Sequence, residues 1–189
     1  MKRSIFASLL LGLFATGCSS RQQLANELLE RKRLLEIIRT SPTTAMVLGQ
    51  AEEKAFRNAC VRAIVAALTK EELAHELTFV RTELGAKEAS FQVQMIQTSL
   101  LGQYPAVEDV DPACLNLARE LIKADPTADQ LGDRVTSGIA RCAAHVFTEE
   151  ELKVLLARTR DPLALSVQRK WPQIVTQAFQ EVAKRASRD

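Results

Sequence analysis

The chain has 189 residues, with 25 basic and 23 acidic side chains and a formal net charge of +2. A nucleic-acid binder would carry a marked basic excess or a basic patch, and an excess of two without a patch is neither. One Trp and one Tyr leave no aromatic platform for carbohydrate, and scarce Gly and Pro among plentiful Ala, Leu, Glu, Lys, Arg and Gln favour helix.

Met1-Lys2-Arg3 precedes an apolar run from Ile5 to Ala15. A short cationic stretch before an apolar run of this length is the pattern of an export signal. The run is too short to span a bilayer, which takes about 20 apolar residues. Ala15-Thr16-Gly17-Cys18 follows and resembles the lipobox of bacterial lipoproteins, in which small residues precede an obligate cysteine. The resemblance implies that residues 1–17 are a cleaved lipoprotein signal peptide. It also implies that the Cys18 thiol receives a diacylglycerol and that the new amino group takes a further acyl chain, such as palmitate. Only a thiolate is nucleophilic enough for this at neutral pH, and two or three chains anchor stably where one holds marginally. The other reading is an ordinary secretory peptide cut near Ala15 or Gly17, with Cys18 left free. By the sorting pattern of such lipoproteins, Ser19 in place of Asp implies the periplasmic face of the outer membrane. Without Lys2 and Arg3 the basic side chains fall to 23 and equal the acidic ones. Residues 18–189 are one domain's worth of chain.

Residues 18–20 form only a short tether. From Arg21 to Thr40, Leu24, Leu28, Leu35 and Ile38 form a helical stripe, ended by Ser41-Pro42. A second helix is predicted from about Thr44 to Leu68, with Leu48, Ala55, Phe56, Cys60, Ile64 and Ala67 inward. Thr69 and Glu72 form a capping box for the third, flanked by the hydrophobic staple Leu68 and Leu73. A fourth runs from about Lys87 to Leu101 and stops at Gly102-Gln103-Tyr104-Pro105. Residues 102–111 read as a connector. Asp111-Pro112 then starts a helix carrying Cys114, Leu117, Leu121 and Ile122 inward, broken by Asp125-Pro126. The next is expected from about Ala128 to Val146, with Leu131, Val135, Ile139, Cys142 and Val146 inward. Phe147-Thr148-Glu149-Glu150-Glu151-Leu152 repeats the staple and capping box, and Asp161-Pro162 opens a last helix that Pro172 should kink or divide.

At an offset of 79 residues Arg62, Thr69, Glu71, Glu72, Leu73, Leu77, Arg81 and Leu84 meet Arg141, Thr148, Glu150, Glu151, Leu152, Leu156, Arg160 and Leu163. Residues 21–101 and 112–189 thus read as two duplicated helical repeats. The fold class expected is an all-α bundle of two multi-helix halves, related by a pseudo-two-fold axis and sharing one core. The competing explanation is physical, since capped amphipathic helices resemble one another.

The segment from about Gly138 to Val182 resembles domain of unknown function 2059, a helical family of exported bacterial proteins. The likeness rests on Phe147 to Leu152, on Asp161-Pro162-Leu163-Ala164 and on Pro172, with a weaker echo at Leu68 to Leu73. The family often has an aromatic pair where this chain has Arg158-Thr159, and Gly where it has Ala164. The resemblance implies a helical fold and an envelope address, and no activity.

Three cysteines remain beyond Cys18. Cys114 and Cys142 lie 12 and 16 residues either side of Pro126, so a helical hairpin brings them to one level. They can pair in a disulfide, which an oxidising compartment permits, or stay as buried thiols beside a buried Cys60. Cys142 and His145 share a helix face, but zinc needs three or four ligands and no second pair is evident, so neither metal nor cofactor is implied. His75 beside Glu71 and Glu72 reads as a solvated helix face rather than an acid–base cluster. Glu71-Glu72 and Glu149-Glu150-Glu151 sit at helix N-termini, where negative charge offsets the dipole. Ser137 and Ser166 lack a nucleophile-elbow context. The functions weighed are an interaction or scaffold module that binds an envelope protein, a carrier of an apolar ligand or lipid between helices, and a hydrolase using Glu and His. The first is favoured, with a membrane contact through the lipid and no nucleic-acid partner.

Overall fold

The computed structural model describes residues 20–40, 50–125, 128 and 131–186. Residues 1–17, expected to be a signal segment, and Cys18 and Leu48 lie outside the described residues. Within them the protein is all-helical, with α1 Arg21–Arg31, α2 Leu34–Thr40, α3 Gln50–Ala67, α4 Lys70–Val80, α5 Glu83–Leu101, α6 Pro112–Ala124, α7 Asp133–Val146, α8 Glu149–Arg158 and α9 Pro162–Ala186, and a 3-10 turn at Val107–Asp109. No helix among the described residues is long and apolar enough to cross a membrane.

Local chemistry sets most boundaries. Ser20 caps α1 in a capping box with Gln23, Thr69 caps α4 with Glu72, and Thr148 caps α8 with Glu151. The staple residues Leu68, Leu73, Phe147 and Leu152 are all buried. Asp111 caps α6 ahead of Pro112, and Gly102 closes α5 in the left-handed region at φ 65°.

Four boundaries depart from the pattern-based expectation. The Arg21–Thr40 stretch is two helices, because Arg33 takes φ 51° and turns the chain. Its guanidinium closes on both Glu36 oxygens at 2.6 Å and on Ser90 Oγ at 2.8 Å, which offsets the backbone strain. α5 begins at Glu83 rather than near Lys87, since Thr82 Oγ1 accepts the Gly85 amide at 3.0 Å and makes an N-cap. α7 begins at Asp133, so Leu131 lies before it and is 42% exposed instead of packed. α9 runs unbroken through Pro172, whose ring faces solvent.

α1 lies on α3 and α4, and α6 lies on α7 and α8. α9 packs on α3 and α4, and α5 packs on α7 as well as on α2 and α4. Two hydrophobic cores result among the described residues, where one was expected. The first joins α1–α4 to Val167, Ile174, Ala178 and Val182 of α9. The second joins Val110 and α6–α8 to Leu84 and Phe91 of α5. Phe79 of α4 packs against both.

Candidate functional site

Among the described residues the buried charged side chains are two carboxylates of α4. α4 turns Glu72 and Glu76 inward, one turn apart, with 4% and 1% exposure. The face expected to be solvated is therefore buried on this side. Glu71 is exposed, and Glu72 turns away from solvent because α9 closes over it.

Glu76 is held by cations from two other helix ends. Lys32, delivered by the turn after α1, places Nζ 2.6 Å from one carboxylate oxygen, and Arg158 at the end of α8 pairs with the other. Lys32 Nζ lies 5.4 Å from the Trp171 ring centroid and the Arg158 guanidinium 3.9 Å from that of Phe79, so aromatic faces replace part of the lost hydration. Burial by itself pushes the Glu76 carboxyl up, but the charges and hydrogen bonds of Lys32 and Arg158 outweigh it and hold it below the usual range. Glu88 of α5 stands in the same field. Burial pushes its carboxyl up, against the pull of Lys32 and Arg158.

Glu72 accepts Lys170 Nζ at 2.5 and 2.8 Å, Ser166 Oγ at 2.6 Å and its own cap amide, Thr69 N–H, at 2.7 Å. Burial raises its carboxyl, and these donors, led by Lys170, more than reverse that and lower it to about 2. Across the junction Glu151 accepts Lys87 Nζ at 2.6 Å and the Thr148 amide at 2.8 Å. His75 sits at the edge, Nε2 3.5 Å from Asp161, and its buried Nδ1 has no hydrogen-bond partner.

This arrangement fixes helices and leaves little for acid–base chemistry. Glu72 and Glu76 are ionised at neutral pH and their oxygens are occupied, so neither donates nor takes a proton easily. Sequence reading passed over Glu76, Lys32, Arg158, Lys170 and Glu88. One signal was available: at the 79-residue offset Glu76 aligns with Leu155, a carboxylate standing at a core position.

Cys18, the lipidation candidate, lies outside the described residues. Cys60, Cys114 and Cys142 are buried free thiols, so of the two alternatives for Cys114 and Cys142 the structure has the unbridged one. The two point to different places. Cys114 belongs to the core of α6–α8, while Cys142 lines a cleft between α5 and α7 with Phe91, Met95 and His145. Burial pushes all three thiols up, Cys60 to about 12, which leaves them protonated and poor nucleophiles. Among the described residues no three His, Cys, Asp or Glu side chains are grouped to hold a metal. The α5–α7 cleft encloses about 180 Å³, below the roughly 300 Å³ at which sites for drug-sized molecules begin. The chain matches no family model, no curated protein and no solved structure.

Proposed function

We propose that the chain is a lipid-anchored lipoprotein on the periplasmic face of the outer membrane, serving as a non-catalytic interaction or scaffold module of the cell envelope. The observation that carries this reading is the absence of slack between the lipidation candidate and the folded body. α1 begins at Arg21 behind the Ser20 capping box. Arg21 itself reaches the carbonyl of Val65 at 2.7 Å and that of Leu68. A body fixed from its third residue after Cys18 rides at the lipid surface, where it meets membrane-bound partners rather than ranging on a long linker. Occupied carboxylates and protonated thiols favour binding over hydrolysis, and the α5–α7 cleft among the described residues is small for an apolar cargo.

We also infer that residues 21–101 and 112–189 arose by duplication. The in-frame identities at 79 residues support this. At the same offset Lys87 aligns with Ser166, and each donates to the third-position glutamate of a capping box, Glu151 or Glu72. The likeness to domain of unknown function 2059 rests on the residues quoted for it alone.

In-cell crosslinking of the tagged chain, with mass spectrometry of the captured species and a Cys18→Ala control, tests the reading. A defined envelope protein captured only when Cys18 is present supports the module. Capture of phospholipid or a small apolar molecule alone overturns it in favour of a carrier.

A further inference from the structure

We propose that the cleft between α5 and α7 is a soft-metal site that takes one Cu(I) ion between the Cys142 thiolate, the Met95 thioether and the His145 imidazole. Cys142 and His145 are three residues apart on α7 and so share a face, and helix packing brings Met95 of α5 to the same cleft. The burial is graded. Met95 is 8% and Cys142 7% exposed, while His145 is exposed. The two sulfur-bearing residues are thus buried and the histidine is open to solvent.

The donor set selects the metal. Thiolate and thioether are soft ligands that favour Cu(I), which is content with two or three of them. Zinc needs four ligands, or three and a water, and the cleft offers no carboxylate or second thiol. Charge points the same way. A monovalent ion on one thiolate is neutral, and a neutral complex is cheap to hold beside Phe91, whose ring packs 5.1 Å from Phe147 at the inner wall. A divalent ion would leave an uncompensated positive charge there.

Uptake involves no redox change. The Cys142 S–H bond breaks, an S–Cu bond forms, Cu(I) keeps its oxidation state, and the proton goes to solvent. Because a proton is released, affinity rises with pH, tenfold per unit while the thiol is protonated in the free protein.

The test is anaerobic titration of the full chain carrying Cys18→Ala with Cu(I) supplied as a complex with a chromophoric competitor. One equivalent should be withdrawn, with thiolate-to-copper charge-transfer absorption, and X-ray absorption should show two sulfurs and one nitrogen. Cys142→Ala should abolish uptake, Met95→Leu should weaken it at least tenfold and remove one sulfur from the shell, and Cys60→Ala should leave it unchanged. Circular dichroism of each variant confirms folding. No withdrawal of copper, uptake that survives Cys142→Ala, or a shell without the second sulfur would overturn the site.

Discussion

Lys170 closes on both carboxylate oxygens of Glu72, at 2.5 and 2.8 Å, across 98 residues of chain. Glu72 is also the third residue of α4, where it accepts the Thr69 amide. A single carboxylate therefore caps one helix and moors α9 to it. Its folded pKa is depressed to about 2 from an ordinary 4.5. Such a group stabilises the fold fully above its unfolded pKa and loses that contribution as pH falls through the folded value. Urea unfolding from pH 6 to pH 2 should show a loss on the order of 2 kcal/mol in this window that Glu72→Gln lacks. Glu76 adds in the same direction and Glu88, pushed up by burial, opposes it. Parallel pH slopes for the parent and Glu72→Gln would refute the assignment.

Glu76 gives a sharper test, because it is 1% exposed and bound by two cations that are themselves largely buried. Removing one partner of a buried pair leaves an uncompensated charge and costs about 3–5 kcal/mol. Glu76→Leu should fall in that range. The triple change Lys32→Met, Glu76→Leu and Arg158→Leu should recover most of it, since an apolar isostere of a buried ion pair is often neutral or better. At the 79-residue offset the aligned residue is Leu155, itself buried in an apolar core. Denaturant midpoints of the single and triple variants decide the matter, and a triple variant as weak as Glu76→Leu would count against the account.

Which features could be read ahead of the structure follows from where their causes lie. Capping boxes at Thr69 and Thr148, the Asp111-Pro112 start and the Gly102 stop are local, involving residues within a turn of one another, and the chain spells them out. The break at Arg33 is only partly local: besides Glu36, three residues on, it is held by Ser90, 57 residues away. Distant partners also hold Glu76, arriving from α1 and α8. Amphipathic stripes at Leu73, Leu77, Leu152 and Leu156 were legible, but a stripe states that a face is buried, not which helix buries it. The packing of α9 on α3 and α4, and of α5 on α7, was therefore beyond reach, and with it the cleft that Met95 and Cys142 both line.

Two glycines should respond oppositely to alanine. A Cβ on Gly85 would stand 2.3 Å from the Phe79 carbonyl oxygen and 2.7 Å from Val80 Cα, both backbone atoms at the end of α4 that cannot step aside. Gly85→Ala should cost at least about 2 kcal/mol. On Gly138 the Cβ would meet the Tyr104 ring at 2.5 Å, a side chain of the connector that can swing out. The lost packing is then set against a gain of about 1 kcal/mol in helix propensity within α7. In a Tyr104→Ala background, Gly138→Ala should be stabilising, as read by thermal midpoints. Destabilisation there would show that something besides the Tyr104 ring fills the space.

The thiols offer a prediction with a direct chemical readout. Cys60, Cys114 and Cys142 are buried, unbridged, and pushed up in pKa by burial. Thiolate concentration and access both limit alkylation, so in the native Cys18→Ala chain all three should resist a maleimide for as long as the fold persists. Unfolding in urea without reductant should release three reactive thiols together. Mass spectrometry of the alkylated chain counts them. A single labelled cysteine would mean that Cys114 and Cys142 are bridged in solution, against the free thiols of the structure. Full labelling only on unfolding would place all three thiols within the folded body.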